Sequence, residues 1–425
     1  MNHSHATPRR VVVTGLGSVG PVGLDVATAW HRVVAGQSGI GRITLFPTDG
    51  FRVKVAGEAW GFDALAHLSP KQVRRADRNV QFALVAAMEA MNHARMTWPL
   101  AGDAADATGT CIGSGAGGIA TYVGQQAILD RHGPSRMSPL AIPMIVVDSA
   151  AVQVSIMAGA RGPSMSVTSA CSTGSDAVGT AFDLIRESHA DRMIAGGTEA
   201  AVTKLGIGGF DQMNALSRRN DAPAQASRPF DANRDGFVLS EGAGIVILEE
   251  LGHAVKRGVE PLAEILGWAT TSDAAHFTKP DTEARQAARA VTLALERAEV
   301  EPADVGYINA HATGTPQGDA FEVAAVKRAL GKAAYDIPIS STKSVTGHLL
   351  GGAGATELIW CVMAIRDGIL PPTINYCTKD RACDLDFVPN VARRASPSIA
   401  LANSFGMGGH NTVLVVGRWD GQPAA

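Results

Sequence analysis

Short apolar segments alternate along the chain with longer amphipathic segments. The apolar segments are typical of buried β-strands, and most of them lead into loops of small residues. We predict strands at residues 10–14, 109–114, 164–168, 192–196, 244–249, 305–309, 336–340, 399–403 and 412–417. Apolar positions at helical spacing predict helices at residues 77–94, 172–188, 282–298, 319–330 and 353–367. This alternation predicts an α/β layered fold with mixed sheets.

The same pattern divides the chain into two halves without a long linker. Because the composition shifts mildly around residues 252–261, we expect an N-terminal half over residues 9–258 and a C-terminal half over residues 259–425. Each half contains a strand that leads into a small-residue loop and a buried helix, which indicates internal duplication. Residues 1–8 are polar, and we expect them to form a flexible tail.

The first predicted strand runs into VVVTGLGSVG at residues 11–20, which has the glycine spacing of a dinucleotide-binding turn. Such a site also needs an acidic residue about 20 residues further on to bind the ribose hydroxyls. Residues 37–43 contain none, Asp49 comes too late, and Pro21 and Gly23 would delay the helix. We therefore interpret these glycines as permitting close backbone packing, and we expect no NAD(P) site.

Composition narrows the partners and the compartment. The 425 residues include 37 Lys and Arg against 40 Asp and Glu, so there is no basic excess for nucleic acid or anionic lipid. The five cysteines form no C-x-x-C pair, which argues against a disulfide framework or a zinc ribbon. Neither a run of about 18 apolar residues nor a signal-peptide pattern occurs, so we expect a cytoplasmic protein with no membrane span.

Cys171 lies where a predicted strand meets a predicted helix, within the sequence TSACSTG. Small neighbours allow the sharp turn that a nucleophile at such a junction needs. Amide groups at a helix N-terminus stabilise a thiolate, so we expect a lowered pKa for this thiol, and the same amides can hold an oxyanion. A buried structural cysteine is the alternative, so partner residues have to decide between the two.

Two histidines are candidate partners. His311 lies in NAHATGTP directly after a predicted strand, and His348 lies in STKSVTGHLLGGAG together with Lys343. Small residues surround both histidines, and the open ends of strands are where α/β folds bind ligands. One cysteine and two histidines in equivalent surroundings favour a catalytic site over three unrelated core residues.

The chain resembles the β-ketoacyl-[acyl-carrier-protein] synthases, the condensing enzymes of the thiolase superfamily. Six motifs occur in the family's order between about residues 9 and 417: TSACSTG, GGTEA, SRPFDANRDGFVLSEGAG, NAHATGTPQGD, STKSVTGHLLGGAGATE and NSFGMGGHN. The elongating type II synthases are the most similar branch. The resemblance implies a thiolase-like fold of duplicated α-β-α-β-α layered halves with mixed five-stranded sheets. It also implies an acyltransferase without a metal or a cofactor of its own, whose substrates arrive on the phosphopantetheine of an acyl carrier protein.

The resemblance further implies a decarboxylative condensation. Cys171 is the expected nucleophile and takes up an acyl chain; a malonyl thioester then loses CO2 and attacks that chain to give a 3-oxoacyl product. His311 and His348 are expected, as neutral rings, to donate to the enolate, with Lys343 as a supporting charge. The backbone amides of Cys171 and Met407 are the expected oxyanion hole. The other expected site residues are a supporting network of Asp319 and Glu322 near Lys343, Thr313 and Thr315 along the pantetheine arm, and Phe237 and Phe405 around the malonyl group.

The side chains expected along the acyl tunnel are Ala116, Leu140, Ala141 and Phe210. Ala116 stands where long-chain synthases often carry a larger apolar residue, and Leu140 and Ala141 stand where they tend to carry aromatic residues. Met407 stands where many relatives carry a gating phenylalanine, and methionine is apolar and flexible, so gating can survive in altered form. We expect a long, unsaturated or otherwise unusual acyl chain, in fatty acid or in type II polyketide or polyene biosynthesis. Neutral drift that is compensated nearby is the alternative.

Carrier proteins are acidic, so we expect a basic entrance despite the net charge of −3. Ordinary solvated charge is the alternative for any one of the candidate docking residues, which are Lys71, Arg74, Arg75, Arg136, Arg218 and Arg219. The resemblance implies a dimer in which the strand at residues 165–168 pairs across a two-fold axis. A homodimer is expected, and a heterodimer with a chain-length-factor paralogue stays open.

Two other functions are compatible with some of these residues. A cysteine-dependent thioester hydrolase would use a histidine to activate Cys171 and water to release the acyl group. The papain-type C-G-S-C-W signature is missing, however, and two histidines with Lys343 fit enolate stabilisation better. A non-catalytic chain-length partner of a heterodimer would have lost the nucleophile, whereas Cys171 is present.

Overall fold

The computed structural model describes residues 9–421, so the predicted tail at residues 1–8 lies outside the described residues. The strands are β1 Val11–Val19, β2 Gly41–Arg42, β3 Val55–Ala56, β4 Thr108–Gly113, β5 Ser164–Met165, β6 Arg192–Glu199, β7 Gly242–Glu250, β8 Ala263–Ser272, β9 Tyr307–Asn309, β10 Ile339–Ser340, β11 Ile369–Leu370, β12 Arg393–Arg394, β13 Ile399–Gly406 and β14 His410–Gly417.

The α-helices of the described chain are α1 Val26–Val34, α2 Pro70–Val73, α3 Arg78–His93, α4 Gly102–Asp106, α5 Ile119–His132, α6 Ala141–Ile145, α7 Ser149–Ala158, α8 Thr173–Arg186, α9 Lys204–Gln212, α10 Leu251–Lys256, α11 Arg285–Ala298, α12 Pro316–Leu330, α13 Lys343–Thr346 and α14 Ala353–Asp367. None of the helices within residues 9–421 has both the length and the apolar character needed to cross a membrane.

The main sheet consists of two five-stranded halves with the same strand order. One half runs β5–β4–β6–β7–β1 and the other β10–β9–β13–β14–β8. In each half the first three strands are parallel and the last two are antiparallel to their neighbours. This repeat confirms the duplicated thiolase-like fold. The predicted division between residues 258 and 259 falls between α10 and β8, and it stays a prediction.

The two halves share one continuous sheet, which the sequence did not predict. Val11 pairs with Ile265 and Val13 with Ala263, so β1 and β8 join the five-stranded sheets into one of ten strands. The strand β8 was missed because Gly267 and a run of threonines interrupt its apolar alternation. The strand predicted at residues 164–168 shortens to Ser164–Met165 at the sheet edge.

The glycines of the opening motif lie against helix α3. A Cβ atom on Gly15 would lie 2.2 Å from the carbonyl oxygen of Ala90, and one on Gly17 would lie 1.9 Å from that of Ala86. Glu89, on the same helix, accepts hydrogen bonds from the backbone N–H groups of Ser18 (2.9 Å) and Val26 (2.8 Å). The interpretation that these glycines permit close backbone packing is therefore confirmed.

Two equivalent helices, α8 and α14, pack against each other in the middle of the molecule. Their contact depends on small residues, because a Cβ on Gly174 would lie 2.8 Å from the backbone nitrogen of Ala355. A short 3-10 turn precedes each helix, at Ala170–Ser172 and Leu350–Gly352. The packing of the two helices therefore brings the two turns, and the residues around them, to one place.

Candidate active site

Cys171 lies in the turn that leads into α8. Ala170, just before it, has a φ of 52°, a left-handed conformation that turns the chain sharply. Ser172 anchors the same turn on the β13–β14 hairpin, because its hydroxyl donates to the carbonyl oxygens of Ser404 (3.0 Å) and His410 (3.1 Å). These contacts fix the thiol at the junction between the two halves.

His311 follows β9 and is held through its backbone. Its N–H donates to Glu322 Oε1 at 2.9 Å, and the N–H of Ala312 donates to Glu322 Oε2 at 2.6 Å. Asn403 donates to the same carboxylate at 3.1 Å. Glu322 therefore positions the histidine without contacting its ring.

His348 precedes the turn Leu350–Gly352 and pairs through its backbone with the segment around Leu239. Its N–H donates to the carbonyl oxygen of Val238 at 2.8 Å, and its carbonyl accepts from Ser240 N–H at 2.9 Å. Phe237 lies against its ring, with the ring centroids 5.4 Å apart. Phe237 therefore packs against one side of the His348 ring, and His348 also lines the cavity.

The predicted trio comes together. The sulfur of Cys171 and one ring nitrogen each from His311 and His348 all lie within 4.8 Å of one another. The two imidazole rings are nearly perpendicular, at 87°, with centroids 5.4 Å apart. Residues 140 positions apart in the sequence, Cys171 and His311, therefore share one site.

Burial sets the protonation of this trio. It lowers the pKa of both His311 and His348 well below 6.5, and the nearby Lys343 charge acts in the same direction. Both rings are therefore neutral near pH 7, as the sequence analysis expected. Burial raises the pKa of the Cys171 thiol, whereas the Met407 N–H and the Lys343 charge lower it. The expected net lowering of this pKa is wrong, because desolvation outweighs the stabilising groups.

Lys343 is almost fully buried and forms an ion pair with Glu357, a residue that the sequence analysis did not single out. Burial raises the pKa of Glu357 and of Glu322 to about 7, and the Lys343 charge opposes both shifts. Asp319 does not pair with the lysine. It lies 3.6 Å from Arg234 and accepts from the backbone N–H groups of Phe230 (2.8 Å) and Gly314 (3.1 Å). Asp319 is therefore part of a loop anchor, separate from the lysine pair.

A cavity of about 720 Å³ opens above the trio. The predicted site residues on its wall are Cys171, His311, His348, Ala116, Phe210, Phe237, Thr313, Thr315, Phe405 and Met407. The Thr315 hydroxyl also caps α12 by accepting from the N–H of Gly318 at 3.2 Å. Leu140 and Ala141, at the start of helix α6, do not line this cavity. The other end of α6 contacts the loop after Ala116, because the Gly118 N–H donates to the carbonyl oxygen of Ile145 at 3.0 Å.

The predicted docking residues are all at least partly exposed, and one of them, Arg218, contacts a residue of the cavity wall. Arg218 is tied to its mouth: it pairs with Asp211 and donates at 2.9 Å to Asn214, which lines the cavity. Arg219 donates to Gln225 at 3.0 Å. Neither these two nor the others, at Lys71, Arg74, Arg75 and Arg136, lie on the cavity wall.

Two groups on the wall were missed from the sequence. Glu199, at the end of β6, is fully buried and accepts from Gly115 N–H at 2.8 Å and from Gly351 N–H at 3.2 Å. The motif GGTEA can be recognised in the sequence, but the sequence does not show which backbone N–H groups lie against its glutamate. The second group is the loop after β8, where Asp273 accepts from Asn411 at 2.7 Å. It was missed together with the strand that precedes it.

Comparison with known proteins gives the relatives of this chain. Residues 8–254 match the family description "Beta-ketoacyl synthase, N-terminal domain", and residues 262–377 match "Beta-ketoacyl synthase, C-terminal domain". The chain belongs to the β-ketoacyl synthase family. It is 46% identical over 411 residues to the 3-oxoacyl-[acyl-carrier-protein] synthase 2 of Synechocystis sp., covering 97% of this chain and 98% of that protein. It is 45% identical over 413 residues to the Staphylococcus aureus protein of the same name, covering 97% and 99%.

Solved ketosynthases have the same fold. One is a type II polyketide ketosynthase bound to a hexaketide in complex with its acyl carrier protein, with a TM-score of 0.89 and 35% identity over 97% of this chain and 100% of that chain. Another is the ishigamide ketosynthase/chain length factor, with a TM-score of 0.89 and 33% identity over the same shares. The resemblance drawn from the motifs is therefore confirmed, and this β-ketoacyl synthase is an acyltransferase of the condensing type.

Proposed function

We propose that the chain is a 3-oxoacyl-[acyl-carrier-protein] synthase in which Cys171, His311 and His348 carry out a decarboxylative condensation. The observation that carries these roles is the convergence of one thiol and two neutral imidazoles within 4.8 Å at the floor of one cavity. The names of the relatives and the solved ketosynthase with its carrier protein support the substrate class.

In the first half-reaction the enzyme takes up an acyl chain. The thiol proton passes to a neighbouring imidazole, and the Cys171 sulfur attacks the carbonyl carbon of an acyl thioester. The oxyanion accepts from the backbone N–H groups of Cys171 and Met407, two residues that line the same cavity. As the intermediate collapses, the carbon–sulfur bond to the pantetheine breaks, and that thiol leaves with the proton.

In the second half-reaction a malonyl thioester loses CO2. The bond between its carboxyl and its α-carbon breaks, and the electron pair moves into an enolate. Neutral His311 and His348 each donate an N–H to the enolate oxygen. The α-carbon then attacks the carbonyl of the Cys171 thioester. The carbon–sulfur bond of that thioester breaks, which releases a 3-oxoacyl product on the carrier and regenerates the Cys171 thiolate. This thiolate takes up a proton from solvent.

The pocket residues have supporting roles. Phe237 packs between Phe210 and His348, with ring centroids 5.3 and 5.4 Å away, and keeps water from the malonyl carboxylate. Phe405 covers the other side, 6.3 Å from the His311 ring. The hydroxyls of Thr313 and Thr315, 3.3 Å apart, lie along the wall where a pantetheine arm would enter. Because the carrier supplies that arm, the reaction needs no cofactor bound by this chain.

The nucleophile is tested with Cys171→Ala. We expect no covalent acyl-enzyme after incubation with an acyl-carrier thioester, because the only proposed attacking atom is gone. Intact-protein mass spectrometry measures the adduct. Cys377→Ala is the matched control, since this exposed free cysteine lies outside the cavity and its loss leaves acylation unchanged. An acyl adduct on Cys171→Ala would show that another residue is the nucleophile.

The enolate role is tested with His348→Ala. Removing one of two donors to the enolate lowers the rate of malonyl decarboxylation by about 100-fold or more. Decarboxylation is measured as CO2 release with Cys171 already acylated. An unchanged rate would contradict the role. Release of free acid without a 3-oxoacyl product from the unmodified enzyme would instead support the hydrolase alternative.

The side chains that line the cavity near Ala116 indicate which acyl chains the enzyme accepts. Ala116 is small, and Ile119 and Phe210 complete an apolar wall. We propose that this space accommodates a long, unsaturated or otherwise unusual acyl chain. Acyl-enzyme yields across a series of chain lengths test this. We expect Ala116→Ile to reduce the longest chains most, and an equal effect at every length would count against the proposal.

The oligomer is a homodimer formed through the edge of the sheet at β5. Near β5, helices α5, α6 and α7 and the segment between α6 and α7 expose apolar residues, here named the edge patch: Tyr122, Ile142, Val146, Val147, Val152 and Ile156. An unpaired strand edge beside such a patch favours association with a second copy. A heterodimer with a chain-length factor, of the kind named in one solved relative, is the alternative partner.

A further inference from the structure

Cys171, His311 and His348 offer the donor atoms of a zinc site. Thiolate sulfur and imidazole nitrogen are the ligands that zinc prefers, and three protein ligands with one open position are typical of accessible zinc sites. One donor atom from each residue already lies within 4.8 Å of the other two. Zinc bonds of about 2.0 to 2.3 Å place tetrahedral ligand atoms roughly 3.5 Å apart, so small side-chain rotations close the difference.

The histidine nitrogens provide a second, independent observation. Both ring nitrogens of His348 and Nδ1 of His311 are buried without a hydrogen-bond partner among the described residues. Buried polar atoms in proteins are nearly always paired with a donor, an acceptor or an ion. The proposed mechanism uses these rings only when substrate is bound, so in the free enzyme their nitrogens can coordinate another ligand in the cavity.

The surroundings allow a cation and a fourth ligand. All three residues line the same cavity, so a water molecule can occupy the open position. The positive charge of Lys343 is close, but it is paired with Glu357, and the buried carboxylate of Glu199 also acts on the thiol. Buried carboxylates therefore lie beside the cluster and offset part of the Lys343 charge that a divalent ion would meet.

We propose that this cluster binds Zn²⁺ reversibly through the Cys171 sulfur and one nitrogen each of His311 and His348. The zinc–sulfur bond forms as the thiol proton is released to solvent, and no redox change occurs. The bound ion coordinates the sulfur electron pair of Cys171 that would otherwise attack the acyl thioester, so zinc blocks acylation. Metal binding is independent of the proposed function, whereas the block of acylation rests on it.

Binding is tested by titrating the full chain with Co²⁺, which reports thiolate ligation by a charge-transfer band, and by displacing it with Zn²⁺. We expect one equivalent to bind with this band. Cys171→Ala loses the band and weakens zinc binding by at least about 100-fold, because a direct ligand costs at least as much as an outer-shell partner. His348→Ala weakens it at least about tenfold. Cys377→Ala is the control and keeps both the charge-transfer band and the zinc affinity. A background metal site elsewhere in the chain would be present in every variant and would therefore not change the comparison.

Two results would overturn the proposal. One is a charge-transfer band or a zinc affinity that Cys171→Ala retains, and the other is no metal uptake by the unmodified chain at micromolar Zn²⁺. Alkylation of the unmodified chain provides a readout that needs no variant: Zn²⁺ slows iodoacetamide labelling of Cys171, and EDTA restores it. Acylation that proceeds at full rate with zinc bound would contradict the block alone.

Discussion

At the scale of single residues, burial decides the chemistry of the site. It keeps His311 and His348 neutral, so each carries an N–H that can donate to an enolate oxygen. Burial also raises the pKa of the Cys171 thiol, so the resting enzyme holds a thiol that must pass its proton to a ring before it attacks. Two neutral imidazoles beside one protonated thiol suit both half-reactions.

Glu199 is a positioning residue whose loss we expect to destabilise the cavity wall. Its carboxylate accepts from Gly115 and Gly351 N–H, and also from Ala116 N–H at 3.2 Å. In Glu199→Gln the amide nitrogen cannot accept, so at least one buried N–H loses its partner. We expect the free energy of unfolding to fall by about 1 to 3 kcal/mol in urea titrations. Glu187 is exposed, so Glu187→Gln should change the free energy of unfolding by less than about 0.5 kcal/mol. Equal effects of the two substitutions would contradict the positioning role of Glu199.

At the scale of elements, the same construction occurs twice. Each half contains a strand, a short turn with one left-handed residue and a buried helix. The left-handed residue is Ala170 before α8 in one half and Leu350 before α14 in the other. Because the two helices pack together, one turn presents the nucleophile and the other follows the second histidine. The duplication is therefore the physical reason that distant motifs form one site.

The strand β7 is held to its neighbours by Glu249, and this gives a pH-dependent prediction. Burial alone would raise the pKa of Glu249, but hydrogen bonds from His253 and Arg257 and the charges of Arg257 and Arg192 lower it to about 2. A folded-state pKa below the unfolded value of about 4.5 stabilises the fold above pH 4.5, and this stabilisation is lost as the pH falls toward 2.

We therefore expect Glu249→Gln to lower the free energy of unfolding by roughly 3 kcal/mol at pH 7. The difference from the unmodified chain should stay constant down to about pH 5 and shrink below pH 4.5. Denaturant titrations across that range measure it. A difference that grows on acidification would show that the carboxylate is not the stabilising form.

At the scale of the whole molecule, the exposed apolar surface lies mainly in the N-terminal half. Ile142 and Ile156 in the edge patch are 67% and 74% exposed beside the short edge strand β5. Monomeric proteins rarely leave so much contiguous apolar surface in water next to a free strand edge. A two-fold interface buries the same patch on both copies, which is the commonest way to cover it.

Ile156→Glu tests this interface. A carboxylate within the edge patch would be buried at the interface without a partner, so we expect the mass in solution to fall from twice the chain's 44.0 kDa to the monomer value. Light scattering after size-exclusion chromatography measures it. Val391→Glu is the matched control, since Val391 is 75% exposed in the C-terminal half, away from the patch. An unchanged dimer mass for Ile156→Glu would place the interface elsewhere.

Much of this protein followed from the sequence because the signal is local. Apolar periodicity predicted α14 with both ends correct, and small residues around Cys171, His311 and His348 marked the turns that present them. Motif order was enough for the family. The glycines of the first strand could be separated from a nucleotide site because an acidic residue was missing at the required distance.

Only the tertiary structure decided what depends on distance through space. The pairing of β1 with β8, the Lys343–Glu357 pair and the contacts of Glu199 join segments with no shared local pattern. The raised pKa of the Cys171 thiol is of the same kind, because desolvation depends on everything packed around the sulfur. The sequence determined which groups could react, and the packing of two duplicated halves determined their spacing, their charge and the cavity that they share.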